Sequence, residues 1–330
     1  MRQVRTFREK NIDMATVDGF GDEWSAFDQS ALPPAEHQEL FDMYFSTFPF
    51  EDLSAGAEGF DLGCGSGRWA ALMASRVGHL HCIDPSAKAL AVARRRLEAR
   101  SDVEFHLADA GSMPMPDGSQ DFGYSLGVLH HVPDTANAMR DCVRKLKPDA
   151  PFLVYLYYAL DNRPRWFRLL WKASDRLRRM ISATPFDFRR CVAATIAAAI
   201  YWPLARSARL AEALGREVSA FPLSFYRRRS FYTMRTDALD RFGTRLERRF
   251  GRGEILTMMQ EAGLDRIEFR EREPFWVACG RKSAERGPGR VVRLWDMVRP
   301  VPISREQAAE AEPIPEPALG GFPATRLPRD

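Results

Sequence analysis

Short apolar runs alternate with helix-period segments between residues 59 and 158. GFDL (59–62), HLHCID (79–84), VEFHLAD (103–109), DFGYSLGVL (121–129) and APFLVYLYY (150–158) read as strands. Residues 66–76, 86–100 and 134–146 between them carry helical spacing. This rhythm predicts a parallel sheet covered on both faces. Residues 161–232 break it with a long, mostly helical stretch. It resumes at GRGEILTMMQEAGLD (251–265), a helix stopped by Gly263. RIEFRE (266–271) and PFWVACGRK (274–282) then suit an antiparallel end to the sheet. Residues 300–330 hold seven prolines and few large apolar groups, which predicts a disordered tail over 283–330.

Composition narrows the class. With 330 residues and 45% hydrophobic content the chain can form a sizeable core. A net charge of +4 is too small to imply nucleic acid as a partner. The five cysteines are scattered without a CxxC pair, so neither a metal site nor a disulfide framework is expected, and a reducing cytoplasm fits. The first twenty residues lack the apolar core of a secretory signal. No run reaches the roughly 18 apolar residues expected of a span.

The chemistry centres on FDLGCGSG (60–67). A glycine-rich turn between strand and helix lets a ligand approach the backbone, and the helix N-terminus favours negative charge. The spacing of Gly63, Gly65 and Gly67 is G-x-G-x-G, one residue short of the dinucleotide pattern. Asp84 follows Gly63 by 21 positions, at the end of the second strand, where it could accept both hydroxyls of a ribose. Asp61 precedes the first glycine and could orient the loop. Asp109 ends the third strand. At the carboxyl edge of a parallel sheet the three acids would converge on one crevice. An acidic crevice suits a cationic cofactor better than a pyrophosphate.

FDLGCGSG, then CIDPS, then LADAGSMPMPDGSQDFGYSLGVLHHVPD resembles the class I S-adenosylmethionine-dependent methyltransferases, closest to the small-molecule type related to quinone biosynthesis. The resemblance covers residues 59–158 well and 233–282 more loosely. It implies a Rossmann-like α/β fold with a seven-stranded sheet and S-adenosyl-L-methionine as cofactor. It further implies that Gly63, Gly65 and Gly67 pack on the methionine part, Asp84 binds the ribose, Asp109 binds the adenine amino group, and Leu126 lies beside the cofactor. A segment such as DGFGDEWSAFD (18–28), with Trp24 and Phe27, folds over the cofactor in related enzymes; surface packing is the other reading.

Methyl transfer is an in-line displacement, so positioning supplies much of the rate. A base is needed only for a hydroxyl, an acidic carbon or a protonated amine. His130 and His131 follow the fourth strand at the crevice edge and are the candidate bases, His131 ahead of His130. The alternative is that one packs under the next helix and the other orders the loop. Asp134 reads as a helix N-cap. SLGVLHH stands where N-P-P-Y or D-P-P-Y would be expected, against methylation of DNA bases.

Charge is segregated. Residues 161–232 hold fifteen basic and five acidic side chains, +10, which leaves −6 for the rest. A helix is expected to start near Asn162 and Pro164. It carries Arg165, Arg168, Lys172, Arg176 and Arg179 on one face and Trp166, Leu169, Leu170, Leu177 and Ile181 on another. Fifteen uncharged residues follow from Cys191, too few to span and interrupted by Pro203. Three readings stay open: a helical cap whose apolar face covers the active site, a lid recognising an anionic acceptor, or a peripheral membrane surface for a lipophilic acceptor, on the inner face of a membrane.

The expected organisation is an N-terminal segment (1–58), a methyltransferase domain (59–160 and 233–282), an inserted basic cap (161–232) and the tail. The expected activity is methyl transfer to a small molecule, on oxygen, with carbon and nitrogen open. The alternatives are a non-catalytic S-adenosylmethionine-binding regulatory or scaffold protein and a nicotinamide-dependent reductase. The oligomeric state is open.

Overall fold

The computed structural model describes residues 11–218 and 221–284; the predicted proline-rich tail, apart from 283–284, and the first ten residues of the N-terminal segment lie outside them. Two helices, α1 (Met14–Ala26) and α2 (Pro34–Tyr44), precede the sheet. The chain continues through β1 (Glu58–Leu62), α3 (Ala70–Met73), β2 (His79–Asp84), α4 (Ala87–Arg96), β3 (Val103–Leu107), β4 (Phe122–Leu126), α5 (Thr135–Lys145) and β5 (Pro151–Tyr155). The insertion holds α6 (Arg165–Ser182), α7 (Phe186–Ile196), α8 (Trp202–Ala213) and α9 (Phe231–Gly243). The chain returns through α10 (Arg252–Ala262), β6 (Leu264–Phe269) and β7 (Val277–Lys282).

The seven strands form one mixed sheet in the order β3-β2-β1-β4-β5-β7-β6. β1 to β5 run parallel, and β7 pairs antiparallel with both β5 and β6. The central strands are buried on both faces, as parallel strands covered by helices must be; all five residues of β4 are buried. One face packs Leu80, Phe122, Tyr124 and Leu153 under α2, α3 and α4. The other packs Phe60, Ile83, Phe152 and Val154 under α5 and α10.

Local signals set the boundaries. Asp134 caps α5 as expected, its carboxylate accepting the Asn137 amide at 2.9 Å. Gly263 ends α10 in the left-handed region at φ 94°. Pro164 precedes α6. The helix expected over 66–76 shrinks to α3 and a following 3₁₀ turn, because Gly65 and Gly67 hold positive φ and the loop stays non-helical until Ala70.

The cap has a core of its own, built from Ile181, Ala193, Ala197, Tyr201, Ala205, Met234, Ala238, Leu239 and Phe242, with Phe27 from the N-terminal segment. So α9, grouped with the sheet domain by its sequence, buries its apolar face in the cap. Pro203 does not interrupt the helix as expected. A π turn at Ala197–Tyr201 joins α7 to α8, and Pro203 lies in the first turn of α8. The resulting 28-residue run, Phe186–Ala213, is long and apolar enough by composition to cross a membrane, which corrects the count made on uncharged residues alone.

α6 corrects a second expectation. Its inward face is Asp175, Arg178, Ile181 and Ser182, while Trp166, Leu169, Leu170 and Leu177 are exposed. That stripe of α6 therefore faces away from the sheet, and of the set only Ile181 points into the core; other apolar residues of the cap, among them Phe167, Trp171, Tyr201 and Tyr226, line a cavity against the sheet edge.

Candidate functional site

The glycine turn closes β1 onto the tip of β2. Gly63, Gly65 and Gly67 have φ of 77°, 55° and 72°. A side chain at Gly63 would put its Cβ 2.4 Å from Val128, and one at Gly65 would lie 2.8 Å from the Trp24 indole nitrogen. The Gly65 amide donates to Asp84 Oδ2 at 2.9 Å and the Ser86 amide to Asp84 Oδ1 at 2.8 Å. Burial, the largest influence, pushes the Asp84 carboxyl up to about 6 against the lowering by these two amides.

Above the loop lies a cleft of about 130 Å³. Gly63, Gly65, Asp84, Asp109, Leu126 and His131 all line it, and α1 roofs it with Phe20 and Trp24. Asp109 lies just past β3, where its Oδ1 accepts from the Gly111 amide at 2.9 Å and the Ser112 hydroxyl at 2.8 Å. Trp24 thus folds over the cleft, whereas Phe27 turns into the cap core.

Three predicted residues stand elsewhere. Gly67 does not line the cleft; a Cβ there would lie 3.2 Å from Leu97 and 3.3 Å from Ala93, so it closes the turn against α4. Asp61 is 1% exposed and does not line the cleft; its Oδ2 has no hydrogen-bond partner. Burial pushes its carboxyl up to about 8, the Tyr124 hydroxyl opposing and the Asp84 charge adding to the rise. His130 is fully buried with both ring nitrogens unpartnered, stacked on Tyr157 at 3.9 Å, and lines neither cavity. The 3₁₀ turn Leu129–His131 points it inward, where it packs on Tyr157 and does not face the cleft. His131 does reach the cleft. Its Nδ1 lies 2.6 Å from the Leu246 carbonyl, which can only accept, so in the neutral ring Nδ1 carries the proton and Nε2 is bare. Burial holds His131 below its ordinary range, opposed by the Asp240 carboxylate.

A second cavity, of about 340 Å³, lies between the carboxyl edge of the sheet and the cap. It shares Phe20, Trp24, Arg68, Trp69, Leu126 and Gly127 with the cleft. Tyr44, Tyr155, Tyr157, Tyr201 and Tyr226 line much of the rest. Two carboxylates face it from α9. Asp237 Oδ2 accepts the Tyr226 hydroxyl at 3.0 Å, and Asp240 Oδ2 accepts the Tyr157 hydroxyl. Burial pushes Asp237 up to about 6, opposed by Arg68, and raises Asp240, opposed by His131. Three arginines of the lining are ion-paired: Arg241 and Arg249 each hold Glu247 at 2.8 Å, behind the wall, and Arg163 holds Glu273, which lines the cavity beside it.

The sequence reading missed Asp237 and Asp240. Their signal was TDALD within a helical stretch, since a spacing of three puts both on one face. Away from both cavities, His79, His81 and Glu104 bring ligand atoms within 4.8 Å of one another. His81 is engaged with its neighbours, Nε2 at 2.8 Å from Glu58 and Nδ1 at 2.9 Å from His106, so the group is a hydrogen-bonded network at the start of β2 and β3.

Residues 60–154 match the family described as "Methyltransferase domain". Residues 60–154 form a class I, S-adenosylmethionine-dependent methyltransferase domain. It is 33% identical over 111 residues to phosphoethanolamine N-methyltransferase 2 of Caenorhabditis elegans, covering 33% of this chain and 25% of that protein. It is 30% identical over 141 residues to the ubiquinone biosynthesis O-methyltransferase of Pseudomonas entomophila (strain L48), covering 42% and 59%. It is 30% identical over 131 residues to the 27-O-demethylrifamycin SV methyltransferase of Amycolatopsis mediterranei (strain S699), covering 37% and 45%. The chain spans between a quarter and three-fifths of the length of these relatives. The glycine loop, which tolerates no Cβ at Gly63 or Gly65, and the Asp84 carboxylate it holds lie within the matched residues 60–154.

Proposed function

We propose that the chain transfers a methyl group from S-adenosylmethionine to an oxygen of a small-molecule acceptor held in the tyrosine-lined cavity. The observation that carries this reading is the wall common to both cavities, in which Leu126 and Gly127 at the tip of β4 border cofactor cleft and acceptor cavity alike. Gly63 and Gly65 hold the methionine part by backbone contact, Gly67 closes the turn behind them, Asp84 holds the ribose hydroxyls and Asp109 the adenine amino group. When bound, the cofactor supplies an electrophilic methyl carbon on a sulfonium sulfur. In-line transfer would require the acceptor oxygen opposite that sulfur, and the aromatic walls of the second cavity would hold it there.

A hydroxyl acceptor must lose a proton. Asp240 is suited to take it: it lines the acceptor cavity, and burial brings its affinity for protons above that of an ordinary carboxylate. Tyr157 orients it by donating to Oδ2. His131 lies at the cofactor cleft with a bare Nε2 and opposes the rise of Asp240. Two of the three relatives are named for methylation on oxygen.

The test is methyl transfer from labelled S-adenosylmethionine into host-cell extract, followed by mass spectrometry of the labelled product. A methyl ether supports the reading. An N- or C-methyl product overturns the choice of oxygen. Cofactor binding without transfer to any acceptor in the extract favours the non-catalytic alternative.

A further inference from the structure

Eleven of the thirteen exposed large hydrophobic side chains among the described residues fall between Trp166 and Phe231. They form stripes. At about 100° per residue, Trp166, Leu169, Leu170, Leu177 and Met180 of α6 fall within an arc of roughly 100°. Arg165, Arg168, Lys172, Arg176 and Arg179 fill the adjoining arc of roughly 80°, and the buried Asp175, Arg178, Ile181 and Ser182 the remainder of the wheel. All five basic residues are exposed, and among the described residues only Arg179 is ion-paired, to Asp175. The helix is thus fixed to the cap by a polar face and turns its apolar face outward, the reverse of what burial in water produces.

The run formed by α7 and α8 repeats the pattern. Between Arg190 and Arg206 its exposed residues are Cys191, Thr195, Ala198, Ala199, Ile200, Trp202 and Pro203, none of them charged. Its opposite face is locked into the cap core through Ala193, Ala197, Tyr201 and Ala205. A helix held along one side by protein lies on a bilayer rather than crossing it. Arg190 is ion-paired to Asp187 and Arg206 is held by the Arg227 and Arg229 carbonyls, so the charge complement lies on α6, where an apolar stripe beside Arg165, Arg168, Lys172 and Arg176 matches a surface that is apolar beneath and anionic at its rim.

We propose that the cap, residues 161–232, docks in the plane of an anionic lipid bilayer, inserting the outward stripes of α6 and α7–α8 while Arg165, Arg168, Lys172 and Arg176 meet phosphate headgroups. α6 then serves two surfaces, since Phe167 and Trp171 on its inner side line the acceptor cavity. A lipid-borne acceptor reaches that cavity without leaving the membrane. This last consequence rests on the proposed methyltransferase reading; the docking does not.

The test is co-sedimentation of the full chain with vesicles of phosphatidylglycerol and phosphatidylcholine, with pure phosphatidylcholine as control. Binding is expected to the anionic vesicles, to fall at least tenfold between 50 mM and 500 mM salt, and to fall roughly tenfold in both Leu169→Glu/Leu177→Glu and Arg165→Glu/Arg168→Glu. Unchanged S-adenosylmethionine affinity in the variants reports that they are folded. No binding of the wild-type chain at 50 mM salt overturns the proposal, as does binding that both variants retain. A wild-type dimer in solution that Leu169→Glu/Leu177→Glu dissociates, without vesicle binding, overturns it in favour of a second copy of this chain.

Discussion

Asp84 Oδ2 accepts the backbone amide of Gly65 at 2.9 Å, so the acid proposed to bind the ribose and the glycine loop are one unit. The carboxyl is pushed up to about 6 before any cofactor hydroxyl reaches it. Hydroxyl donors favour the ionised form, so cofactor binding must release a proton below that pH. Affinity for S-adenosylmethionine is therefore expected to rise from pH 5 to about 6.5 and then level off, measured by calorimetric titration. Asp84→Ala is expected to weaken binding by roughly 10- to 100-fold, the worth of charge-assisted hydrogen bonds, and to flatten the pH dependence. An unchanged affinity would remove Asp84 from the ribose site.

Asp61 gives a stability prediction of opposite character to a salt bridge. Burial pushes its folded carboxyl up to about 8, above the 3.8 of an ordinary aspartate. The folded state therefore binds the proton more tightly. That contribution is fully present below pH 4 and is lost as pH rises through 8. An uncharged amide is close to the protonated acid in shape. Asp61→Asn is expected to shift the melting temperature by only a few degrees at pH 6 and to gain on the wild type above pH 8. A collapse of the fold at pH 6 would show that Asp61 acts as an ionised group.

Asp240 and His130 separate chemistry from packing. Asp240→Asn keeps the shape and the contact with Tyr157 but cannot take a proton. Turnover is expected to fall by about 10²- to 10⁴-fold with cofactor affinity unchanged. His130→Phe keeps the ring stacked on Tyr157 and is expected to retain turnover within a few-fold. If Asp240→Asn stays active while His130→Phe loses turnover, the assignment of the proton acceptor is wrong.

Much of the sheet was legible because parallel strands are buried on both faces and read as apolar runs such as FLVYLYY. Asp134, Pro164 and Gly263 marked their helix boundaries through backbone chemistry that acts within a few residues. The cleft residues Gly63, Gly65, Asp84 and Asp109 were legible because they lie at strand tips. Direction was not. Periodicity shows that α6 has an apolar face; whether that face meets the core depends on what packs behind it, and here Arg178 and Asp175 do. Likewise LHH gives no sign that His130 turns under Tyr157 while His131 turns toward the cleft. Asp237 and Asp240 join the site only because α9 folds into the cap, 80 residues beyond the strand they face.

The inward turn of α6 rests on Arg178, two residues from the exposed Arg176. Arg178 is 4% exposed; its Nε holds Asp175 at 2.7 Å and its Nη1 donates to the Thr244 carbonyl at 2.8 Å. Arg178→Ala leaves a carboxylate and a carbonyl without that partner inside the cap, a loss of about 3–5 kcal/mol for a broken buried pair. Arg176→Ala removes a solvated charge and is expected to cost less than about 0.5 kcal/mol. Urea unfolding of the two variants reads the difference. Equal effects would mean that α6 is rotated from the orientation described, and the outward apolar stripe of Leu169, Leu170 and Leu177 would rotate inward with it.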